Sequence, residues 1–365
     1  MATLVLHATG PRRSRSSSWT VHRLTGWTCR SPFSAPPRRC PPPRGEPRRR
    51  SSPAGVTGSW WTAERAPSAS CCGRVGLVDL DAVFVTHLHA DHILGIPGLL
   101  KTYALRGRDT PLALVGPRGF QRLLDELQPV IGRLTYAVEV MEVGPGGAAW
   151  RDQGARIEAF ETSHGVTSVG YALIEDDRPG AFDVAVARDL GVPEGPLFGE
   201  LQRGNPVTVD GRTVTSEQVL GEPRHGRLVV LTGDTEPCAA TVQAAAGATV
   251  LVHEATFTAV DRERAAETHH STAAEAAQVA ATARVGLLAL THISSRVMPR
   301  AVRDEARAVF PNTITPRDFD RLEIPYPERG AVVHHRAPRN GPPAEPAPPD
   351  IVSGAADSLP GVRRL

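Results

Sequence analysis

Lysine is almost absent. Lys101 stands alone beside 40 Arg in a chain of 365 residues. With abundant Ala, Gly and Pro, this is the usage expected of a GC-rich gene. Cysteine is scarce too, and five Cys in this length exclude a disulfide scaffold. No apolar run reaches ~18 residues, which excludes a membrane-spanning helix. Acids are nearly missing from residues 1–76, where 13 Arg face only Glu46 and Glu64. The rest of the chain carries 28 basic against 37 acidic side chains, so the overall charge of +2 hides two compositions. Four of the five Cys (Cys29, Cys40, Cys71, Cys72) and four of the five Trp (Trp19, Trp27, Trp60, Trp61) also precede residue 77. The length allows one large domain or two average ones.

Residues 1–76 do not read as a fold. Pro36-Pro37-Arg38-Arg39 and Arg48-Arg49-Arg50-Ser51-Ser52 show no period of 2 or 3.6. An organelle transit peptide, a basic nucleic-acid-binding arm and a disordered tail all fit such a composition. Translation out of frame outweighs them. Codons regrouped from the last base of each old codon turn Trp60-Trp61-Thr62 into V-V-D, since Trp has one codon. The run to Gly73 then continues, with permitted codon choices, as V-V-D-C-G-E-G-T-Q-R-Q-L-L-R. The same shift turns Cys40 to Gly45, with their neighbours, into V-P-T-P-A-R-G. A buried-strand pattern before a Gly turn thus replaces SWWTAERAPSASCCG, and frame is restored near Arg74 to Leu77.

From residue 77 the chain reads as one α/β domain, 77–330. Strands are expected at Ala82 to Thr86, Leu112 to Val115, Tyr136 to Val143, Arg156 to Phe160, Leu228 to Leu231, Thr249 to Val252 and Leu287 to Leu290. His92 to Arg106 is helix-compatible but broken by Pro97-Gly98. Gly119 to Leu134 is an amphipathic helix, with Phe120, Leu123, Leu124, Leu127 and Ile131 on one side. Glu236 to Ala246 and Thr272 to Ala283 are helical. Residues 175–225 form a Gly/Pro-rich insertion with little periodicity, of the kind that is functional or mobile. Residues 331–365 are Pro-rich and are expected to be a disordered tail.

The chemistry gathers at strand ends. His87, His89, Asp91 and His92 follow a strand directly. Burial alone cannot satisfy three His and an Asp in six residues, whereas imidazole and carboxylate suit Zn²⁺. A surface His cluster or a mononuclear site is the plainer alternative. His164, Asp234 and His292 each follow a strand as well, so five His and two Asp converge on one sheet edge. One carboxylate can give an oxygen to each of two ions, and Asp234 is the natural bridge. Two such ions ~3.5–4 Å apart polarise a phosphoryl group and bind the attacking hydroxide. His270 lies in His269-His270-Ser271-Thr272, where it could be a general acid oriented by Glu254, while Thr272 and Glu275 form a capping pattern.

These residues resemble the metallo-β-lactamase superfamily and, within it, the ribonuclease Z family of tRNA 3′ endonucleases. The motifs are THLHADHILGIPGLL (86–100), SVGYALIEDDRPGAFD (168–183), LTGDT (231–235), HEATF (253–257), HST (270–272) and THISSR (291–296), in order over about 77–328. The resemblance implies an αββα sandwich with a protruding arm and a dinuclear site at one edge. It implies one zinc on His87, His89, His164 and Asp234, and another on Asp91, His92, Asp234 and His292. Asp91 would be the family's proton acceptor, and His270 with Glu254 would protonate the departing 3′ oxygen. It further implies a cytoplasmic homodimer, cutting precursor tRNA after the discriminator nucleotide. The insertion would be the arm, with Gly195-Pro196 at its tip and Arg178, Arg188, Arg203, Arg212, Arg224 and Arg227 available to phosphates. The family's N-terminal G-T-x-x-x-x-P and D-C-G-E-G-T-Q-R-Q turns are missing as written, and the shifted frame restores the second. Val297 stands where the family usually has Tyr. A hydrolase of small phosphoesters and an inactive or merely RNA-binding product are the rival readings.

Overall fold

The structure, a computed structural model, describes residues 3–9, 18–24, 59–62, 80–152, 154–318 and 320–337. Two sheets dominate it. The first runs in spatial order β17 (Val333–His335), β16 (Arg321–Ile324), β2 (Ser18–Leu24), β1 (Thr3–Thr9), β3 (Ser59–Thr62), β4 (Ala82–Phe84), β5 (Leu112–Gly116), β6 (Val138–Glu142). The second runs β15 (Thr313–Ile314), β14 (Leu287–Thr291), β13 (Val250–Glu254), β12 (Leu228–Leu231), β9 (Val169–Glu175), β8 (Ala155–Glu161), β7 (Ala148–Asp152).

Alternation along the strands builds the space between them. Ala82, Phe84, Ala113 and Val115 of the first sheet meet Ile157, Tyr171, Leu173, Val229 and Val252 of the second in one buried cluster. Val83, Val85, Leu112 and Leu114 face the other way. They pack under the helices α2 (Ile96–Leu105) and α3 (Phe120–Ile131), behind the short α1 (Ala90–Ile93). The second sheet's outer residues Val230, Leu251, Leu288 and Leu290 pack with the Ala-rich α8 (Ala273–Ala283) and with Val302 and Ala306 of α9 (Pro299–Val309). The small Ala side chains let α8 approach closely, and the Thr272–Glu275 capping box fixes its start. The order of layers is therefore helix, sheet, sheet, helix, as expected.

Tyr171 is the main interlayer tie. Its ring meets Phe84 edge-on at 5.2 Å and its hydroxyl donates to Val85 O at 2.7 Å. Burying each such ring contributes ~2–3 kcal/mol. Val169 N also donates to Thr86 O at 2.9 Å, joining the sheets beside the metal-type motif.

Several expectations need correction. The break after α1 falls at Leu94-Gly95, not at Pro97-Gly98. Pro97 lies in the first turn of α2, where no N–H is required. Strands exist before residue 77, where none was read: β1 pairs with β2 and β3, and β3 lies parallel to β4 with Trp61 opposite Val83. Residues 331–337 are not a tail, because β17 pairs with β16 and His334 Nε2 lies 2.7 Å from the buried Asp320. The rest of the expected tail, 338–365, lies outside the described residues.

The insertion is also more ordered than its composition suggests. It holds α4 (Val184–Asp189), α5 (Pro196–Gln202) and a hairpin of β10 (Val207–Val209) and β11 (Arg212–Val214). Ala187, Val192, Leu201, Val207, Val214 and Val219 form a core of its own. Asp210 and Gly211, both at positive φ, make the two-residue turn, a hairpin signal that the periodicity reading passed over. The remaining helices are α6 (Ala239–Ala244) and α7 (Arg262–Glu267). Among the described residues, no helix is long and apolar enough to cross a membrane.

Candidate metal centre and active site

All seven expected donors meet at one edge of the sandwich. His87, His89, Asp91 and His92 leave β4 through α1 of the first sheet. His164, Asp234 and His292 follow β8, β12 and β14 of the second. Close approach of the two halves needs glycine at position 233, where φ is +66° and a Cβ would lie 2.8 Å from Thr86.

Asp234 is central. Its Oδ2 lies 3.2 Å from His92 Nε2, 3.2 Å from His292 Nε2, and 3.9 Å from both His87 Nε2 and His164 Nε2. His89 Nδ1 lies 3.2 Å from His164 Nε2, and Asp91 lies 3.6 Å from His92 Nε2. Two donor groups emerge: His87, His89 and His164 on one side, Asp91, His92 and His292 on the other. Asp234 groups with His87 and His92, one from each side.

Electrostatics explain what such a cluster needs. Burial, then the neighbouring His92, hold His87 down to about 2. Burial likewise lowers His164 and His292. At Asp234 burial works upward, but His292, His92 and His87 outweigh it and keep the carboxyl well below its usual range. His87, His164 and His292 are thus neutral, and each presents a lone pair. His87 Nε2, His292 Nε2 and Asp234 Oδ1 are buried without a hydrogen bond among the described residues. Each orphan of this kind costs ~1–3 kcal/mol. Neutral imidazoles and a carboxylate, all aimed at one space, fit divalent metal ions.

A second cluster adjoins it. Glu254, 1 % exposed, accepts from Thr235 N and His270 Nδ1 at Oε1, at 2.9 and 2.6 Å. Its Oε2 accepts from Thr256 N, Thr256 Oγ1 and Ser271 N at 3.1, 2.8 and 3.2 Å. Five donors saturate it, so Glu254 orients His270 rather than binding an ion. Burial opposes charge on His270, but the Glu254 hydrogen bond and its charge prevail and raise its pKa. The His270 ring lies 4.8 Å from that of His164 and 5.1 Å from that of His292.

Sequence reasoning missed the groups that steer the ligands. Thr86 Oγ1 lies 3.1 Å from His87 Nδ1, and His269 O lies 2.8 Å from His164 Nδ1. Thr256 Oγ1 lies 2.6 Å from His292 Nδ1. Hydroxyls and carbonyls are too common for spacing to mark them.

The arm arginines divide. Arg227, 2 % exposed, is locked to Glu175 at 2.8 Å and is no phosphate contact. Arg178 is committed to Glu328 at 2.7 and 3.0 Å and stacks on Tyr326 at 3.4 Å, so it braces the arm's root. Arg224 also reaches Glu328, at 3.6 Å. Arg188 pairs with Glu194 and Arg203 with Glu200, both on the arm's surface. Arg212 is exposed on the hairpin. Gly195, at φ +133°, starts α5 with Pro196 in its first turn.

The family profile described as Beta-lactamase superfamily domain matches residues 59–181. Ribonuclease Z of Haloferax volcanii is 46% identical over 297 residues, covering 74% of this chain and 94% of that protein. The chain belongs to the ribonuclease Z family. Ribonuclease Z of Myxococcus xanthus is 48% identical over 254 residues, covering 68% of this chain and 82% of its own length. Among solved structures, the human short form of tRNase Z superposes with a TM-score of 0.52 at 20% identity, covering 73% of this chain and 89% of that one. That likeness carries the metallo-β-lactamase fold, which the layers described above share.

Proposed function

We propose that the protein is a zinc-dependent endonuclease that cuts precursor tRNA after the discriminator nucleotide, leaving a 3′ hydroxyl on the tRNA. The protein is a metal-dependent tRNA 3′-processing endoribonuclease. The observation that carries the finer reading is Asp234 Oδ2 facing four imidazole nitrogens at 3.2–3.9 Å between two donor groups. His87, His89, His164 and Asp234 would hold one zinc, and Asp91, His92, Asp234 and His292 the other. Two bound ions would polarise the scissile phosphate and lower the pKa of attacking water.

The side chains supply the rest. Asp91, part-exposed beside His92, would accept the proton of the attacking water. His270, its Nδ1 held by Glu254, would carry a proton at Nε2 toward the departing 3′ oxygen. The arm, with Gly195 and Pro196 at the start of α5 and Arg188 and Arg203 on its surface, would grip the tRNA by shape and phosphate. Homodimeric assembly and a cytoplasmic setting complete the reading. The test is cleavage of a precursor tRNA by metal-loaded protein, with the product ends mapped. A trailer lacking a 5′ phosphate, or a cut elsewhere, overturns it.

The out-of-frame account of residues before 77 is a proposal of the same kind. The strand β3 sets Trp60, Trp61 and Thr62, read as V-V-D in the shifted frame, opposite Ala82, Val83 and Phe84, so either frame supplies a strand at that place. A β-branched apolar pair suits an inner strand there.

A further inference from the structure

We infer that Thr256 is a positioning residue that fixes the ring tautomer of His292 and so readies its Nε2 for a metal. The inference rests on the metal-site reading above. Its Oγ1 lies 2.8 Å from Glu254 Oε2 and 2.6 Å from His292 Nδ1.

The donor count decides the direction. Glu254 Oε2 already accepts two backbone N–H groups, from Thr256 and Ser271. An oxygen that takes two N–H donors carries no hydrogen of its own, so in its contact with the hydroxyl it is again the acceptor, and Thr256 donates its only proton there. The same hydroxyl can then only accept from His292. Nδ1 of His292 carries the hydrogen, and Nε2 keeps its lone pair, 3.2 Å from Asp234 Oδ2. The opposite tautomer would set a lone pair against the hydroxyl oxygen and place a hydrogen where the ion belongs.

Thr256 also shapes the turn that carries His292. Ser294 N donates to Thr256 O at 3.1 Å, and Ala255 N to Thr291 O at 2.9 Å. Between these bonds His292 adopts φ +51°, a left-handed conformation that a side chain rarely takes. One carboxylate thus serves both halves of the chemistry. Glu254 Oε1 orients His270 directly, and Oε2 orients His292 through Thr256.

The test is Thr256→Val, which keeps shape and removes the hydroxyl, with Thr256→Ser as the conservative partner. Metal-free protein is titrated with Zn²⁺ against a chromophoric chelator. The variant should hold one ion as the parent does and bind the other about 10–100-fold more weakly, the usual cost of losing such a partner. Thr256→Ser should restore it. Ring-nitrogen NMR of the metal-free protein, with His292 assigned by His292→Gln, gives a second readout. The parent should show Nδ1–H at His292, and Thr256→Val should lose that preference. Both measurements use the full chain, with the frame-corrected chain taken if the first is insoluble. A parent with hydrogen on Nε2 overturns the inference, as does a Thr256→Val protein with unchanged affinities. Failure of the parent to bind a second ion would instead strike the metal-site reading, while the NMR pattern still judges Thr256.

Discussion

Glu254 Oε1 lies 2.6 Å from His270 Nδ1, and that oxygen's other partner is Thr235 N, adjacent to Asp234. The group expected to protonate the leaving oxygen and the group expected to bridge the ions therefore hang from the same buried carboxylate. Removing His270 should leave the metal donors in place. His270→Ala is expected to keep its metal content and to slow precursor cleavage by ~10²–10⁴-fold. Metal analysis alongside single-turnover kinetics checks this, and loss of an ion would make His270 a ligand.

Asp234→Ala should behave differently. Its Oδ2 is the shared neighbour of His87, His92, His164 and His292. Without it both ions should bind weakly and activity should vanish. Two tightly held ions and full activity in that variant would end its role as the bridge.

The arm invites excision. Asp183 N donates to Val219 O at 2.7 Å, and Phe182 and Leu220 form a bridge just outside that pair. Deleting Asp183 to Val219 removes the helices, the hairpin and their core while leaving adjacent ends to be closed by a short turn. Precursor tRNA binding should weaken and its salt dependence should flatten, since phosphate contacts release counterions. Hydrolysis of bis(p-nitrophenyl) phosphate should change little. Equal loss on both substrates would mean that the segment supports the fold.

Acid should loosen the arm's root. Burial works to raise Glu175, but the hydrogen bonds and charge of Arg227 outweigh it and leave its pKa lowered. A carboxyl lowered by folding adds stability above its unfolded pKa of ~4.3, and that contribution is lost as pH falls toward its lower folded value. Glu175→Gln should cost roughly 3 kcal/mol at pH 7, the scale for breaking a buried pair. It should also lose stability less steeply than the parent below about pH 4.5. Urea unfolding of both proteins across pH 3–7 provides the comparison, and parallel curves would refute it.

The N-terminal proposal is decided by expression. The bulkier Trp60-Trp61 pair, where the shifted frame has Val-Val, would overpack an inner strand, and a sheet that closes poorly exposes surface and invites aggregation. The lost packing is several kcal/mol, comparable with a domain's ~5–15 kcal/mol margin. The chain as written should be poorly soluble and nearly inactive, whereas a version carrying V-V-D-C-G-E-G-T-Q-R-Q-L-L-R should be soluble and active. Equal yield and activity would make the basic segment a genuine appendage.

Much of the site was legible because its chemistry is written in rare residue types at strand ends. His87, His89, Asp91 and His92 stand out from any core pattern, Asp234 and His292 each follow a short apolar run, and His164 follows an alternating one. Thr256 was silent for the opposite reason, since a threonine after a strand has many uses. In the fold, β9 escaped notice because Gly170 interrupts its apolar run, VGYALIE. The arm's core was obscured by the glycines that shape its turns. Pairing of β17 with β16 depends on partners far away in sequence, which no local period reports.

Tyr171 gives the sandwich a further property. Its hydroxyl grips Val85 O two residues before His87, and Val169 N grips Thr86 O beside it. Three donors follow strands on one side of this joint, and four lie on the loop and short helix on the other. The two sheets therefore act as the jaws of a vice whose gap is set at this joint, and the catalytic edge has a fixed gauge. Any shear between the jaws would misalign both ion positions together, so packing changes deep between the sheets reach the chemistry without touching a single ligand.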